Sequence, residues 1–232
     1  RALADATGER VFQVFRLRPD EVAAAERRYR AAPRRPGPAS VPFPGAAHLW
    51  ESTFLARRPP SAEVPWRVVV PIREPVGQAV SALFHALGQR GVSAVSVDDA
   101  RRELLEGDWL RRPARWFDHE VTDGLGLDVY ADGSAPPVAL AGPSVRLLVV
   151  RLEDAATTPT ALARFLGRSD PVPVPPRNEA GARGYAAAYR DFVADARLPG
   201  DVLDAAYGTR YARRFYSDAE IATFRSRWGD PA

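Results

Sequence analysis

The 232-residue sequence contains no cysteine, no methionine and no lysine. The absence of cysteine excludes disulfide bonds, thiolate nucleophiles and cysteine-ligated metal sites. Because lysine is absent, all 32 basic side chains are arginines, and any anion site must use guanidinium groups, which make planar bidentate contacts with phosphate. No apolar run approaches the roughly 18–20 residues that cross a bilayer, and no secretory leader is visible. We therefore expect a cytoplasmic protein without a membrane span.

The composition is that of an ordinary globular protein. Hydrophobic residues make up 46% of the chain and charged residues 26%, and the length suits one domain with a substantial core. We therefore expect residues 1–232 to form a single domain. The formal net charge is only +3, and the arginines are scattered, often beside acidic residues. This distribution argues against a nucleic acid polymer as the partner.

Short apolar strands alternate with amphipathic helices along the chain, which predicts a layered α/β fold with a mostly parallel sheet. Strand-like patterns cover residues 11–17, 66–72 and 145–152. Helical patterns cover residues 19–30, 48–55, 75–87 and 158–166, with Gly167 as a C-terminal cap, and then 181–195, 199–213 and 217–228. Residues 97–116 are predicted to be helical or mixed, residues 123–143 irregular, and the proline-rich segments 32–44 and 171–176 loops.

The strongest chemical signal follows the strand over residues 66–72. The chain continues as Arg73-Glu-Pro75 into a helix that carries Ser81 two turns along. Ligands of α/β sheets bind beyond the carboxyl ends of the strands, where Arg73 lies. The guanidinium matches a phosphate group, and we expect the helix N-terminus to add partial positive charge. The alternative is an arginine that stabilises the turn and a serine on a helix surface.

The string Val-Val-Pro-Ile-Arg73-Glu-Pro75, followed by Ser81, resembles the 3′-phosphate-binding segment of sulfotransferases. These enzymes use 3′-phosphoadenosine 5′-phosphosulfate as the sulfonate donor. Further pieces are similar to the bacterial capsular-polysaccharide-synthesis group, and they cover most of the chain in the same order: residues 116–120, 126–130, 148–154, 215–221 and Trp228. The resemblance implies a three-layer fold of the P-loop nucleotide-binding sulfotransferase type, with a helical C-terminal region.

The resemblance also implies roles for individual residues. Arg73 and Ser81 would hold the 3′-phosphate of the donor nucleotide. Arg183-Gly184 is similar to a basic residue followed by glycine that, in the C-terminal part of these enzymes, closes over the nucleotide. The family usually has lysine rather than arginine at this place. A solvated arginine at a helix start is the alternative for Arg183. The acceptor would be a hydroxyl group, expected on a saccharide, and the transfer would need no metal.

His48 matches, by its place upstream of the same strand, the histidine that deprotonates the acceptor in cytosolic sulfotransferases. An imidazole near its neutral pKa can take a proton as a hydroxyl attacks sulfur. The alternative is a partly buried histidine packed beside Trp50. His85, His119 and Glu120 are rival candidates for the base, since a glutamate base also occurs among sulfotransferases.

The sequence departs from the family at its amino end. The family has a strand, a loop rich in glycine and serine with a lysine, and a helix that grip the 5′-phosphosulfate, whereas residues 11–17 are followed by Pro19-Asp20. We expect these donors to be missing and the chain as given to be inactive.

Two other readings stay open: a non-catalytic binding protein on the same fold, and a magnesium-dependent phosphoryl-transfer relative. The aromatic residues of the C-terminal region are predicted to pack in the core: Tyr207, Tyr211, Phe215, Tyr216, Phe224 and Trp228.

Overall fold

A computed structural model describes residues 8, 11–31, 46–131, 133, 135–174 and 183–229. Its first half contains α1 Pro19–Ala31, α2 Ala47–Ala56, β1 Trp66–Ile72, α3 Pro75–Gln89, α4 Val97–Glu106, α5 Arg112–Trp116 and a π-helical turn Phe117–Asp123. Its second half contains β2 Val138–Ala141, β3 Val145–Arg151, a 3-10 turn Leu152–Asp154, α6 Thr158–Leu166, α7 Ala186–Asp195, α8 Gly200–Tyr207, α9 Arg210–Phe215 and α10 Asp218–Trp228. The described residues thus form an α/β structure that is mostly helical.

The described strands form a mixed three-stranded sheet in the order β1-β3-β2. β1 and β3 pair in parallel, from Trp66 opposite Val145 to Ile72 opposite Arg151. β2 pairs antiparallel with β3. The strands predicted over residues 66–72 and 145–152 are confirmed as β1 and β3, although β3 ends at Arg151 and β1 is buried only at Val70 and Ile72. The prediction that residues 123–143 are irregular is wrong for β2, and the sheet is mixed rather than mostly parallel because of this strand.

Helices cover both faces of the sheet. Successive side chains of a strand point to opposite sides, so apolar side chains on both faces need a packing partner. Val70 and Val149 belong to one apolar cluster, together with aromatic side chains of the π-helical turn and α9. Leu148 and Val150 belong to another, formed with the inner side of α6. The carboxyl ends of β1 and β3 lie side by side at one edge of this layered core.

The amphipathic helix predicted after Pro75 is confirmed as α3. Its apolar side chains are fully or almost fully buried against α4, α7 and α8: Val76, Val80, Leu83, Phe84 and Leu87. Burial of each such side chain contributes roughly 1.5–3 kcal/mol. The first turn of α3, which begins next to Arg73, is therefore firmly anchored.

The prediction of a strand over residues 11–17 is wrong. These residues belong to neither a helix nor a strand, although their apolar and polar side chains alternate. Side chains satisfy their backbone instead: the amides of Leu17 and Arg18 donate to Glu120 Oε2, and the carbonyl of Phe15 accepts from Trp116 Nε1. These bonds attach the segment to the rest of the protein without pairing it in the sheet.

The C-terminal region is helical as predicted, but the boundaries differ. The helix predicted over residues 199–213 is divided into α8 and α9, because Thr209 caps a new helix by accepting from the Ala212 amide. Residues 183–185 precede α7 rather than belonging to it, and residues 175–182 lie outside the described residues, as do residues 32–45 with the loop predicted at 32–44. The predicted cap of α6 is confirmed, since Gly167 has a φ of 72°.

In the part of the chain that the structure describes, no helix is long and apolar enough to cross a membrane.

Candidate functional site

The turn between β1 and α3 has an unexpected electrostatic character. Glu74, only 2% exposed, is the N-cap of α3, and its carboxylate accepts from the amides of Val76 at 2.9 Å and Gly77 at 2.6 Å. We expected the start of this helix to add positive potential beside Arg73. That expectation is wrong, because a carboxylate already occupies the first-turn amides and opposes the helix dipole.

Glu74 also ties the C-terminal helices to this turn. Tyr207 of α8 donates its hydroxyl to Glu74 Oε2 at 2.7 Å, and the indole of Trp228 donates to Oε1 at 3.0 Å. A buried carboxylate is tolerated only when donors replace the water that it has lost. Four donors do so here, and they join three helices at one point.

Both polar groups of the peptide bond between Arg73 and Glu74 are held by remote side chains. The carbonyl of Arg73 accepts from the Tyr211 hydroxyl at 2.9 Å. The amide of Glu74 donates to Glu153 Oε1, also at 2.9 Å, and Tyr216 donates to the other oxygen of Glu153 at 3.2 Å. Burial raises the pKa of Tyr211 and Tyr216 far above the ordinary tyrosine value, so both remain donors.

The C-terminal aromatic residues are therefore more than core packing. Most of their rings are buried, as predicted, but four of them also donate hydrogen bonds to the Arg73–Glu74 turn or to Glu153: Tyr207, Tyr211, Tyr216 and Trp228. Glu74 and Glu153 were not among the residues predicted from the sequence. A signal was present for Glu74, because an acidic residue directly before a proline is a common way to begin a helix.

Arg73 and Ser81 lie along the same side of α3. A Cβ atom built on Gly77 would stand 2.9 Å from Nε of Arg73, so the Arg73 side chain runs over the first turn of the helix. Ser81 follows Gly77 by four residues and is exposed one turn further, about 6 Å away. A guanidinium and a hydroxyl group are thus available beyond the carboxyl end of β1.

Arg183-Gly184 approaches the same helix nearer its other end. The ring of Tyr185 packs on Gly88, where a Cβ atom would stand 2.6 Å from Cδ1 of the ring. Gly88 lies about 10 Å along the helix axis from Ser81. Arg183 and Gly184 are exposed. The segment is therefore beside α3, about two turns from Ser81.

His48 lies in α2, in a different part of the surface. Its half-buried ring makes an edge contact with Phe15, with the centroids 5.0 Å apart. Burial, and then the charge of Arg16, lowers its pKa below the usual histidine range, so the imidazole is neutral at pH 7 and can accept a proton. The ring is thus partly buried, as the alternative for this histidine assumed, and its aromatic contact is with Phe15.

The rival candidates for the base have other surroundings. Glu120 is buried, and its Oε2 atom accepts from the Leu17 amide at 2.6 Å and the Arg18 amide at 3.0 Å. His85 and His119 are exposed, and Nε2 of His85 lies 3.0 Å from Nε2 of Gln89.

The candidate residues fall into two groups within the described residues. Arg73 lies over the first turn of α3, which also carries Ser81, while His48 and Glu120 flank the segment from Phe15 to Arg18. The groups are linked through α5, which ends at Trp116 beside Phe15 and packs on α3. No direct contact between His48 and Arg73 or Ser81 is among the described contacts.

Comparison with family models, with curated proteins and with solved structures found no match to this chain.

Proposed function

We propose that the chain is a sulfotransferase domain of the P-loop nucleotide-binding type, which uses 3′-phosphoadenosine 5′-phosphosulfate to sulfonate a hydroxyl group of a saccharide. The proposal is carried by one observation: Arg73 is held at the carboxyl end of β1, with the Ser81 hydroxyl exposed on the same side of α3. This is the edge at which α/β folds bind ligands. The spacing of the two residues is also that of the sequence resemblance.

The nucleotide half of the site uses the two side chains in different ways. The Arg73 guanidinium binds two oxygens of the 3′-phosphate, and Ser81 donates its hydroxyl to a third. The first-turn amides of α3 do not take part, because Glu74 occupies them. Arg183-Gly184 closes over the nucleotide from the far end of α3, and its exposed position directly before Tyr185, which packs on Gly88, supports this role.

The proposed reaction of a complete site is an in-line displacement at sulfur. The chain as given is expected to be inactive, because its sequence shows no loop rich in glycine and serine that would grip the 5′-phosphosulfate. The acceptor oxygen forms a bond with sulfur while the bond from sulfur to the 5′-phosphate oxygen breaks, which releases adenosine 3′,5′-bisphosphate. His48 takes the proton of the acceptor hydroxyl. His48 is favoured over Glu120 because its ring is neutral and partly exposed, whereas Glu120 is buried beneath two amide donors.

A saccharide acceptor is supported by the aromatic surface beside His48. Phe15 is 49% exposed and Trp50 is 42% exposed. The negative face of an aromatic ring attracts the slightly positive C–H groups on the apolar face of a sugar. The cytoplasm is the proposed location of the reaction.

Thermal stability with and without adenosine 3′,5′-bisphosphate tests the proposal. A ligand that binds only the folded state at about 100 times its Kd adds about 2.7 kcal/mol, which raises the Tm of a chain of this size by about 5–10 °C. We expect this rise in the unaltered chain and its loss in Arg73→Gln. Arg111→Gln, at an exposed arginine between α4 and α5, is the matched control and should keep it.

The other outcomes distinguish the alternatives. If the nucleotide shifts neither the unaltered chain nor Arg111→Gln, the sulfotransferase proposal fails and a non-catalytic binding protein is favoured. If a shift appears only with magnesium, a phosphoryl-transfer relative is favoured instead.

A further inference from the structure

We propose that Tyr211 and Glu153 are positioning residues, which direct Arg73 toward its anion by clamping the peptide bond between Arg73 and Glu74. The inference rests on the proposed function, since it assumes that Arg73 binds the 3′-phosphate. It assigns a role to a residue of α9 and to one of the 3-10 turn after β3. Neither residue needs to contact the nucleotide.

The clamp acts on a single planar group. The carbonyl of Arg73 and the amide of Glu74 belong to the same peptide unit, whose atoms lie close to one plane. Tyr211 donates to the carbonyl at 2.9 Å, and Glu153 accepts from the amide at 2.9 Å on the opposite side. With both ends bonded, the plane cannot rotate about the chain without breaking one hydrogen bond. Because Ile72, on the other side, is held by its pairing in β1, the clamp also restricts the direction of the Arg73 Cα–Cβ bond.

The two clamping side chains are themselves held in place. Tyr211 is buried, and its ring contacts Phe117 and Phe215 with centroid distances of 5.5 and 5.4 Å. Glu153 receives a second hydrogen bond from Tyr216, whose buried ring contacts Phe224. The hydroxyl groups of Tyr211 and Tyr216 cannot move without disturbing the core, because both rings are packed in it. The C-terminal helices therefore hold the turn in place through these two hydroxyls.

Gly77 completes the arrangement. The Arg73 side chain leaves the clamped peptide and runs over the first turn of α3, where a Cβ atom at residue 77 would stand 2.9 Å from its Nε. The backbone direction set by Tyr211 and Glu153 and the absence of a side chain at Gly77 therefore let the guanidinium pass over this turn, where the Glu74 carboxylate also lies. A binding group fixed in this way loses less conformational freedom when it captures a ligand.

The test compares the Kd of adenosine 3′,5′-bisphosphate with that of adenosine 5′-monophosphate, which lacks the 3′-phosphate. In the unaltered chain we expect the bisphosphate to bind more tightly. In Tyr211→Phe we expect its Kd to rise about three- to tenfold, the loss expected for one hydrogen bond. The Kd of the monophosphate should stay within about twofold. This selectivity ratio is a readout that general destabilisation does not change.

Tyr207→Phe is the matched control. It also removes a buried hydroxyl, but Tyr207 bonds the Glu74 carboxylate rather than the clamped peptide. We expect a lower Tm with unchanged selectivity. Glu153→Ala should lose selectivity, and Glu153→Gln should regain part of it, because the amide oxygen can still accept from the Glu74 amide.

The outcomes separate the two proposals. Unchanged selectivity in both Tyr211→Phe and Glu153→Ala overturns the positioning role and leaves the proposed function intact. Equal affinity of the unaltered chain for the two nucleotides overturns both. An equal loss of selectivity in Tyr207→Phe and Tyr211→Phe also overturns the clamp, because the loss would then not depend on the Arg73–Glu74 peptide.

Discussion

The hydroxyl of Tyr207 lies 2.7 Å from Oε2 of Glu74, although 133 residues separate the two in the chain. With the indole of Trp228 on the other carboxylate oxygen, this bond closes the C-terminal helices onto the turn that presents Arg73. Glu74 is therefore the point at which the C-terminal half of the chain stabilises the start of α3.

Glu74→Ala should destabilise the protein by about 3–5 kcal/mol. The variant loses the N-cap of α3, and it leaves the buried donors of Tyr207 and Trp228 without an acceptor. Urea denaturation followed by far-UV circular dichroism measures the change. Glu106→Ala, at the exposed end of α4, is the matched control and should stay within about 0.5 kcal/mol of the unaltered chain. A similarly small change in Glu74→Ala would contradict the role given to this carboxylate.

Gly77→Ala should destabilise the protein, although alanine favours an ordinary helix over glycine. The added Cβ atom would stand 2.3 Å from Glu74 Oε1 and 2.9 Å from Arg73 Nε, so both groups must move. We expect a loss of about 1–3 kcal/mol, the usual effect of overpacking, together with weaker nucleotide binding. Gly200→Ala is the control, because its Cβ atom meets no atom within 4 Å. A more stable Gly77→Ala variant would show that the turn can open at little cost.

The pH dependence of stability should report on His48. Burial lowers its pKa in the folded state, so below about pH 6.5 the unfolded chain binds more protons than the folded one. The free energy of unfolding therefore falls as the pH decreases through this range. His48→Phe keeps an aromatic ring beside Phe15 but cannot titrate.

We expect the stability difference between the unaltered chain and His48→Phe to be constant above about pH 7.5. Below pH 6.5 it should shift in favour of the variant. Parallel urea denaturation series at pH 5, 6, 7 and 8 measure this difference. A shift in favour of the unaltered chain at low pH would mean that the folded-state pKa is raised rather than lowered.

Ser81→Ala should separate binding from stability. The side chain is exposed on α3, and alanine is the better helix former, so we expect unchanged or slightly higher stability. The Kd of adenosine 3′,5′-bisphosphate should rise about three- to tenfold through loss of one hydrogen bond to phosphate. Calorimetric titration measures it, with Ser93→Ala, an exposed serine before α4, as control. Equal affinities for the two variants would remove Ser81 from the proposed site.

The sequence pattern predicted those helices and strands whose apolar residues repeat regularly over a continuous segment. The apolar runs of β1 and β3 and the spacing of apolar residues in α3 identified these elements because each is long enough to show its period. β2 was missed because it has only four residues, Val138–Ala141, between Pro137 and Gly142. Residues 11–17 alternate like a strand, but alternation does not supply a partner, and side chains took the backbone hydrogen bonds instead.

The site was predictable only in part, and the reason is sequence separation. Arg73 and Ser81 were found because the strand, the turn and the helix that carry them are continuous in sequence. The bonds from Tyr211 to Arg73 and from Trp228 to Glu74 span 138 and 154 residues. The spacing of a tyrosine on a helix indicates which face is buried, but not which carbonyl its hydroxyl will meet.

The most direct measurement of the central claim is the ³¹P NMR spectrum of adenosine 3′,5′-bisphosphate with the chain added in excess. The two phosphates give separate resonances, so each can be followed individually. We predict that the 3′-phosphate resonance shifts with the unaltered chain and returns to its free position with Arg73→Gln. A spectrum in which the 3′-phosphate keeps its free position, or shifts equally with Arg73→Gln, would contradict the proposal that Arg73 binds this group.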